Sequence, residues 1–229
     1  MVYEASMEYD ELIRKNPELM KNQNELLELI LDQQVISMWQ QQQNRNLPTE
    51  LARCNEIGIV LSDPYFIILR DLVRFPDGQM RGYTRLISQA SLRGGKAVVV
   101  LPVYQQQILL LYQFRHPTRS WHYEVPRGYG EPGMSIQDNA KKEIIEEISG
   151  TIGKLIELGE FYNNTGFEAN SVSLLFAELS SVGKPEINEG IKSIVRLSVS
   201  EFEHWIENGT ITDGFTIAAY TKAKLKGLI

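Results

Sequence analysis

The sequence predicts an α+β fold, and the order of its segments carries the prediction. Strand-length apolar runs fall on both sides of one capped, glutamate-bearing helical stretch, and amphipathic helical stretches close the chain. Strict alternation of strand and helix is absent, so the pattern is not that of a parallel βαβ sheet.

The chain has 229 residues, enough for one large domain or a domain with an appendage. Hydrophobic residues make up 43% and charged residues 23%, as in ordinary globular proteins. The net charge of -6 argues against a general nucleic-acid binder, which needs a basic face to displace counterions. No apolar run approaches the ~20 residues that span a bilayer, and the acidic start MVYEASMEYDE does not resemble a secretory signal. The single cysteine, Cys54, cannot form an internal disulfide, which fits a reducing cytoplasm. We therefore expect a cytoplasmic protein with no membrane or nucleic-acid partner.

Three segments are expected: residues 1–55 as a helical extension, 56–93 as a β segment, and 94–229 as the main domain. Asp10 to Lys15 reads as a short helix ended by Asn16-Pro17, because proline disfavours helix in the residue before it. Glu25 to Gln43 reads as a longer helix, with Leu27, Leu31, Val35 and Met38 at helical spacing. That stripe either packs on its own domain or forms a dimer contact. Tyr65 to Leu69 is a strand, Pro76-Asp77-Gly78 a turn, and Tyr83 to Ile87 the returning strand of a hairpin.

In the main domain, Ala97 to Tyr104 and Ile108 to Tyr112 read as strands joined by a turn at Gln105-Gln106-Gln107. Trp121 to Val125 is a short strand closed by Pro126. Ile152 to Tyr162, Ser171 to Glu178 and Ile194 to Leu197 are the later strands. Ser200 is the expected N-cap of a helix that ends before Gly209, and a last helix follows Asp213-Gly214.

The chemistry is concentrated in Gly128 to Gly150. Ser135 and Asp138 form a capping-box variant, so a helix should run from Ile136 to about Ile148. Ile136, Ala140, Ile144 and Ile148 make its apolar stripe, and Glu143, Glu146 and Glu147 flank it. Like charges four residues apart destabilise a helix, and a carboxylate beside an apolar seam loses hydration. A hard cation such as Mg²⁺ or Mn²⁺ would reverse both penalties. A solvated acidic face relieved by Lys141 and Lys142 is the alternative. Gly128, Gly130 and Gly133 allow close approach to the backbone, and a glycine loop entering a capped helix presents amides to anions.

This stretch resembles the Nudix box of the Nudix hydrolases: Gly, five residues, Glu, seven residues, then Arg-Glu-apolar-any-Glu-Glu-any-Gly. Gly128, Glu143, Ile144, Glu146 and Glu147 fall in register, whereas Met134, Lys142 and Ser149 depart from the pattern. Gln113-Phe114-Arg115, Glu124-Val-Pro-Arg-Gly128 and Asp213 to Ala219 are similar to segments of the ADP-ribose pyrophosphatases in that family.

The resemblance implies a Nudix-like α/β/α sandwich with a mixed sheet, and a homodimer supported by residues 56–90. It implies Glu143, Glu147 and Glu146 as ligands of Mg²⁺ or Mn²⁺, completed by the carbonyl of Arg127. Arg115, Glu124, Arg127 and Gly128 would meet substrate. Glu189 is the first candidate for the base, Glu186 the second and Glu168 the third; Glu146 would be a third metal ligand or hold a bridging water. The implied reaction is hydrolysis of a nucleoside diphosphate sugar, with ADP-ribose giving AMP and ribose 5-phosphate. The alternatives are a nucleotide-binding sensor without turnover, or a hydrolase of a dinucleoside polyphosphate or NADH.

Overall fold

The computed structural model of the chain describes residues 2–21 and 26–229. They divide into two compact units, Met1–Leu92 with Asn164–Ala169, and Arg93–Asn163 with Asn170–Ile229.

The first unit contains α1 (Val2–Lys15), β1 (Glu28–Ile30), α2 (Gln33–Asn44), α3 (Thr49–Ala52), β2 (Gly58–Ser62), β3 (Phe66–Arg74), β4 (Met80–Ser88) and α4 (Gln89–Leu92). Strand β3 is its centre. β4 runs antiparallel along one edge over all of Phe66–Arg74. β2 and β1 share the other edge, opposite Ile67–Arg70 and Leu72–Arg74. Strand alternation then sorts the core. Ile67 and Leu69 pack with Tyr9 and Ile13 of α1, while Leu72 packs with Ile36 and Trp39 of α2. Asp71 is buried on the α1 side, accepting from the Tyr9 hydroxyl at 2.5 Å and pairing with Arg85 Nε at 2.6 Å.

The helix expected over Glu25 to Gln43 is corrected here. Glu25 lies outside the described residues, residues 28–30 are the strand β1, and the helix starts at Gln33. The reason is local and tertiary together. Asp32 caps α2 by accepting from the Gln34 and Val35 amides, and β3 offers Glu28–Ile30 an open edge. The buried residues of α2 are Ile36 and Trp39, and Met38 is exposed. The Pro76-Asp77-Gly78 turn does join β3 to β4, with Gly78 at φ +80°.

The second unit contains β5 (Val98–Tyr104), β6 (Gln107–Arg115), β7 (Ser120–Glu124), β8 (Arg127–Gly128), α5 (Ile136–Ile148), β9 (Thr151–Phe161), β10 (Val172–Ser181), β11 (Ile191–Leu197), α6 (Val199–Glu207) and α7 (Gly214–Leu225). Its seven strands form a mixed sheet in the order β11-β6-β5-β10-β9, with β7 on β6 and β8 on β5. The β5–β10 pair is parallel and the other pairs are antiparallel.

Both faces of this sheet are covered, which explains the near-continuous apolar runs of its central strands. Val98, Val100, Leu109 and Leu111 pack with Ala140, Ile144 and Ile148 of α5. Val99, Leu101, Ile108 and Leu110 pack with Phe202 of α6 and Ala219 and Tyr220 of α7. The result is an α/β/α sandwich.

Two local expectations change in this unit. The β5–β6 turn is Gln105-Gln106, both at positive φ, because Gln107 already pairs with Tyr104. Helix α6 is capped by Ser198, not Ser200: Ser198 and Glu201 form a reciprocal capping box two residues earlier. Among the described residues no helix is long and apolar enough to cross a membrane.

Candidate active site

Helix α5 starts as its sequence demands. Ser135 Oγ accepts from the Asp138 amide at 3.0 Å and donates to Asp138 Oδ2 at 2.6 Å. From there the 3.6-residue period lays down two buried rows. One is Ala140, Ile144 and Ile148; the other is Asn139, Glu143 and Glu147. Glu143 and Glu147 are only 7% and 2% exposed, whereas Glu146 faces solvent. The three glutamates are therefore not equivalent.

Burial drives the carboxyl pKa of Glu143 up from 4.5 to about 7, with the charges of Glu146, Glu189 and Glu131 adding and Lys142 opposing. Burial likewise drives Glu147 up to about 8, reinforced by Glu143 and Glu189. The Arg127 amide donates to Glu147 Oε2 at 3.2 Å and partly offsets the rise. Among the described residues, no three His, Cys, Asp or Glu side chains form a ready-made metal cluster.

The glycine loop is shaped by what it must clear. A β-carbon on Gly128 would lie 2.0 Å from Glu143 Oε1, and one on Gly130 would lie 2.0 Å from the Lys96 nitrogen. At Gly130 the obstacle is backbone and only glycine fits, whereas at Gly128 a side chain would have to push the Glu143 carboxylate aside. Asn139 on α5 clamps the same loop, its amide nitrogen donating to the carbonyls of Lys96 and Tyr129 at 3.1 and 3.3 Å. Lys142 bonds Glu131 at 2.6 Å and lies 3.6 Å from Glu146. The carboxylate partner of Lys142 thus comes from position 131, while the box position 134 holds Met134.

Arg115 lies opposite Ser120 on β7 and Glu124 opposite Leu111 on β6, so their side chains meet along the strands, with Arg115 Nε 2.8 Å from Glu124 Oε2. Arg127 reaches the same oxygen at 2.9 Å. The Arg127 guanidinium also pairs with Asp213 at 3.1 Å and lies 5.0 Å from the centre of the Phe215 ring. Asp213 caps α7 by accepting from the Thr216 amide, and Thr216 Oγ1 accepts from the Val125 amide. Val125 and Arg127, and Glu124 through Arg127, are thereby tied to the start of the last helix.

Glu189 and Glu186 share the short turn before β11. Glu186 uses its carboxylate to cap that turn, accepting from the Asn188 amide at 2.9 Å. Its own amide donates to the Glu147 carbonyl at 3.0 Å. Glu189 acts electrostatically on both Glu143 and Glu147. The structure therefore draws Glu143, Glu147, Gly128 and the Arg127 backbone together, and the Glu186 amide ties the turn that carries Glu189 to the end of α5. Arg115, Glu124 and the Arg127 side chain form an adjoining charge cluster.

Asn139 and Glu131 build this site without having been singled out from the sequence, and Asp213, read there only as the start of the last helix, joins them through Arg127. Asn139 had a legible signal, since it shares the four-residue spacing of Glu143 and Glu147. Glu131 had none, and for Asp213 the helix start was readable but its pairing with Arg127 was not, because both partners are fixed by folding.

Residues 94–214 match the family model described as NUDIX domain. An ADP-ribose pyrophosphatase of Bacillus subtilis (strain 168) is 30% identical over 134 residues, covering 57% of this chain and 72% of that protein. An ADP-ribose pyrophosphatase of Escherichia coli (strain K12) is 25% identical over 193 residues, covering 76% and 90%. A solved structure described as "Crystal structure of ADP compounds hydrolase" superposes with a TM-score of 0.64 at 19% identity. That match covers 75% of this chain and 92% of the other.

Proposed function

This chain belongs to the NUDIX family, and from that premise we propose that it hydrolyses the pyrophosphate bond of a nucleoside diphosphate sugar, ADP-ribose first among them. The observation that carries the proposal is the pair of buried carboxylates, Glu143 and Glu147, with Gly128 pressed against one and the Arg127 amide bonded to the other.

The residues fit a divalent cation. Their donors are hard oxygens, and both carboxyl pKa values are raised by burial and by negative neighbours, a penalty that a cation removes. Glu143 and Glu147 would hold Mg²⁺ or Mn²⁺, with Glu146 and the Arg127 carbonyl completing the set. Such an ion, when bound, neutralises diphosphate oxygens and acidifies a bound water.

The chain's own residues do the rest. Arg115 retains guanidinium donors beyond those used on Glu124 and offers them to a phosphate. Buried Glu124 holds Arg115 in place. The Arg127 side chain, engaged by Glu124, Asp213 and Phe215, orients that pair and the Gly128 backbone. Glu189 accepts the proton of the attacking water; the Glu186 carboxylate is already committed to the Asn188 amide. The pairing of Lys142 with Glu131 weighs against the inactive sensor, since the altered box keeps a compensated charge.

A homodimer through residues 56–90 belongs to the same reading. Val60, Leu61 and Tyr65 expose apolar surface there, and a monomer by light scattering would remove this part.

Purified protein with ADP-ribose and Mg²⁺ tests the proposal. AMP and ribose 5-phosphate are expected in equal amounts, with Glu147→Gln slower by about 100-fold or more. No turnover, or equal turnover by the variant, would overturn it.

A further inference from the structure

We infer that Gln113 is a positioning residue for the base: its side-chain amide sets the peptide of Glu189 and so aims the Glu189 carboxylate at the Glu143–Glu147 pair. The inference rests on the hydrolase reading above.

Gln113 is the polar member of an apolar row. Strand alternation puts it on the same face of β6 as Leu109 and Leu111, which pack under α5. It is 3% exposed. Its Nε2 donates to the Glu189 carbonyl at 2.9 Å. Its Oε1 is buried and has no hydrogen-bond partner among the described residues. A buried amide that satisfies only one end is costly, and an apolar side chain of the same size avoids that cost. Stability therefore does not account for a glutamine here. A residue that breaks a local rule of core composition points to a site.

The tethers of the turn show what the glutamine adds. At one end the Glu186 amide donates to the Glu147 carbonyl at 3.0 Å, tying the turn to α5. At the other end the Phe114 amide donates to the Gly190 carbonyl at 3.0 Å, tying it to β6. Both are backbone bonds that almost any sequence would make. Gly190 turns the chain at φ +76°. Between these anchors, the Gln113 amide holds the carbonyl of Glu189 itself. Fixing that carbonyl fixes the peptide plane, and with it the direction in which the Glu189 side chain leaves. The charge of Glu189 already reaches Glu143 and Glu147, raising the pKa of both.

The experiment compares wild type, Gln113→Leu, Glu189→Gln and the double variant, with Gln113→Met as a second apolar replacement of different shape. It reads kcat and KM on ADP-ribose with Mg²⁺, Tm, and amide hydrogen exchange over residues 186–191. Expected for both Gln113 variants is a kcat lower by about 10- to 100-fold with KM within about twofold. Tm should equal or exceed that of wild type, and exchange at residues 188–191 should quicken even without substrate. The double variant should be no slower than Glu189→Gln alone, as for residues acting as one unit. Unchanged exchange, unchanged kcat, losses that multiply with that of Glu189→Gln, or a Tm that falls along with kcat would each overturn the inference while leaving the hydrolase reading intact. A wild type that does not hydrolyse ADP-ribose would overturn the hydrolase reading and this inference with it.

Discussion

Gly128 and Glu143 occupy one another's space: a β-carbon at residue 128 would sit 2.0 Å from Oε1 and 2.1 Å from the carboxyl carbon of Glu143. The glycine that opens the box is there because a carboxylate fifteen residues later in the chain needs the room. Gly128→Ala should displace Glu143 and cost about 100-fold in kcat/KM. Isothermal titration with Mn²⁺ should show weaker binding in the same variant. Normal Mn²⁺ affinity in Gly128→Ala would mean that Glu143 can move aside freely.

The buried pair makes stability depend on pH in a definite direction. Folded pKa values of about 7 and about 8 stand above the ordinary 4.5, so the folded chain holds protons that the unfolded chain releases. The stabilising contribution is complete below about pH 4.5 and is lost as pH rises through about 7 and 8. In EDTA, Tm should be lower at about pH 8.5 than at about pH 5.5 from this source. Glu147→Gln should flatten the difference, and Mg²⁺ should raise Tm most at the higher pH. Melting curves by differential scanning fluorimetry check all three.

Lys142 is bonded to Glu131, so a carboxylate restored at position 134 has little left to do. Met134→Glu should change kcat/KM by no more than about twofold. Glu131→Gln should lower it about two- to fivefold, the scale of a partly exposed ion pair. Adding Met134→Glu to Glu131→Gln should recover most of that loss. Steady-state kinetics on the three variants decide whether position 131 carries the charge.

Ser149 ends α5 in the left-handed region, at φ +49° and ψ +37°. A side chain there costs roughly 1–2 kcal/mol relative to glycine. Ser149→Gly should therefore raise Tm by about 2–8 °C, with activity unchanged, as read by thermal melting and a single-substrate assay.

Asp213 both caps α7 and pairs with Arg127. Asp213→Asn keeps the cap and loses the charge, whereas Asp213→Ala loses both. The alanine variant should be less stable than the asparagine variant by about 1 kcal/mol in urea denaturation. Equal stabilities would show that the ion pair, not the cap, holds the helix start.

Much of the site was legible in the sequence because its logic is local. The Ser135 cap, the length of α5 and the spacing of Glu143 and Glu147 all follow from helix period and capping chemistry. The Pro76-Asp77-Gly78 hairpin was legible for the same reason. Strand β1 was not: three residues carry too little pattern to declare a strand, and Glu28–Ile30 become one only beside β3. Ser198 was passed over for Ser200, although Glu201 three residues after Ser198 was the available signal. Gln113 was visible as a polar residue in the row Leu109, Leu111, Gln113, but its partner was not.

The glycine loop, the capped helix and the three glutamates in register can all be read from local sequence, because each depends on neighbours a few residues away. Tertiary structure alone decided which glutamates are buried, that Lys142 finds its carboxylate at Glu131, and that Arg127 is held by an aspartate 86 residues further along the chain. Burial and long-range pairing depend on which surfaces folding brings together. No periodicity within one segment encodes them.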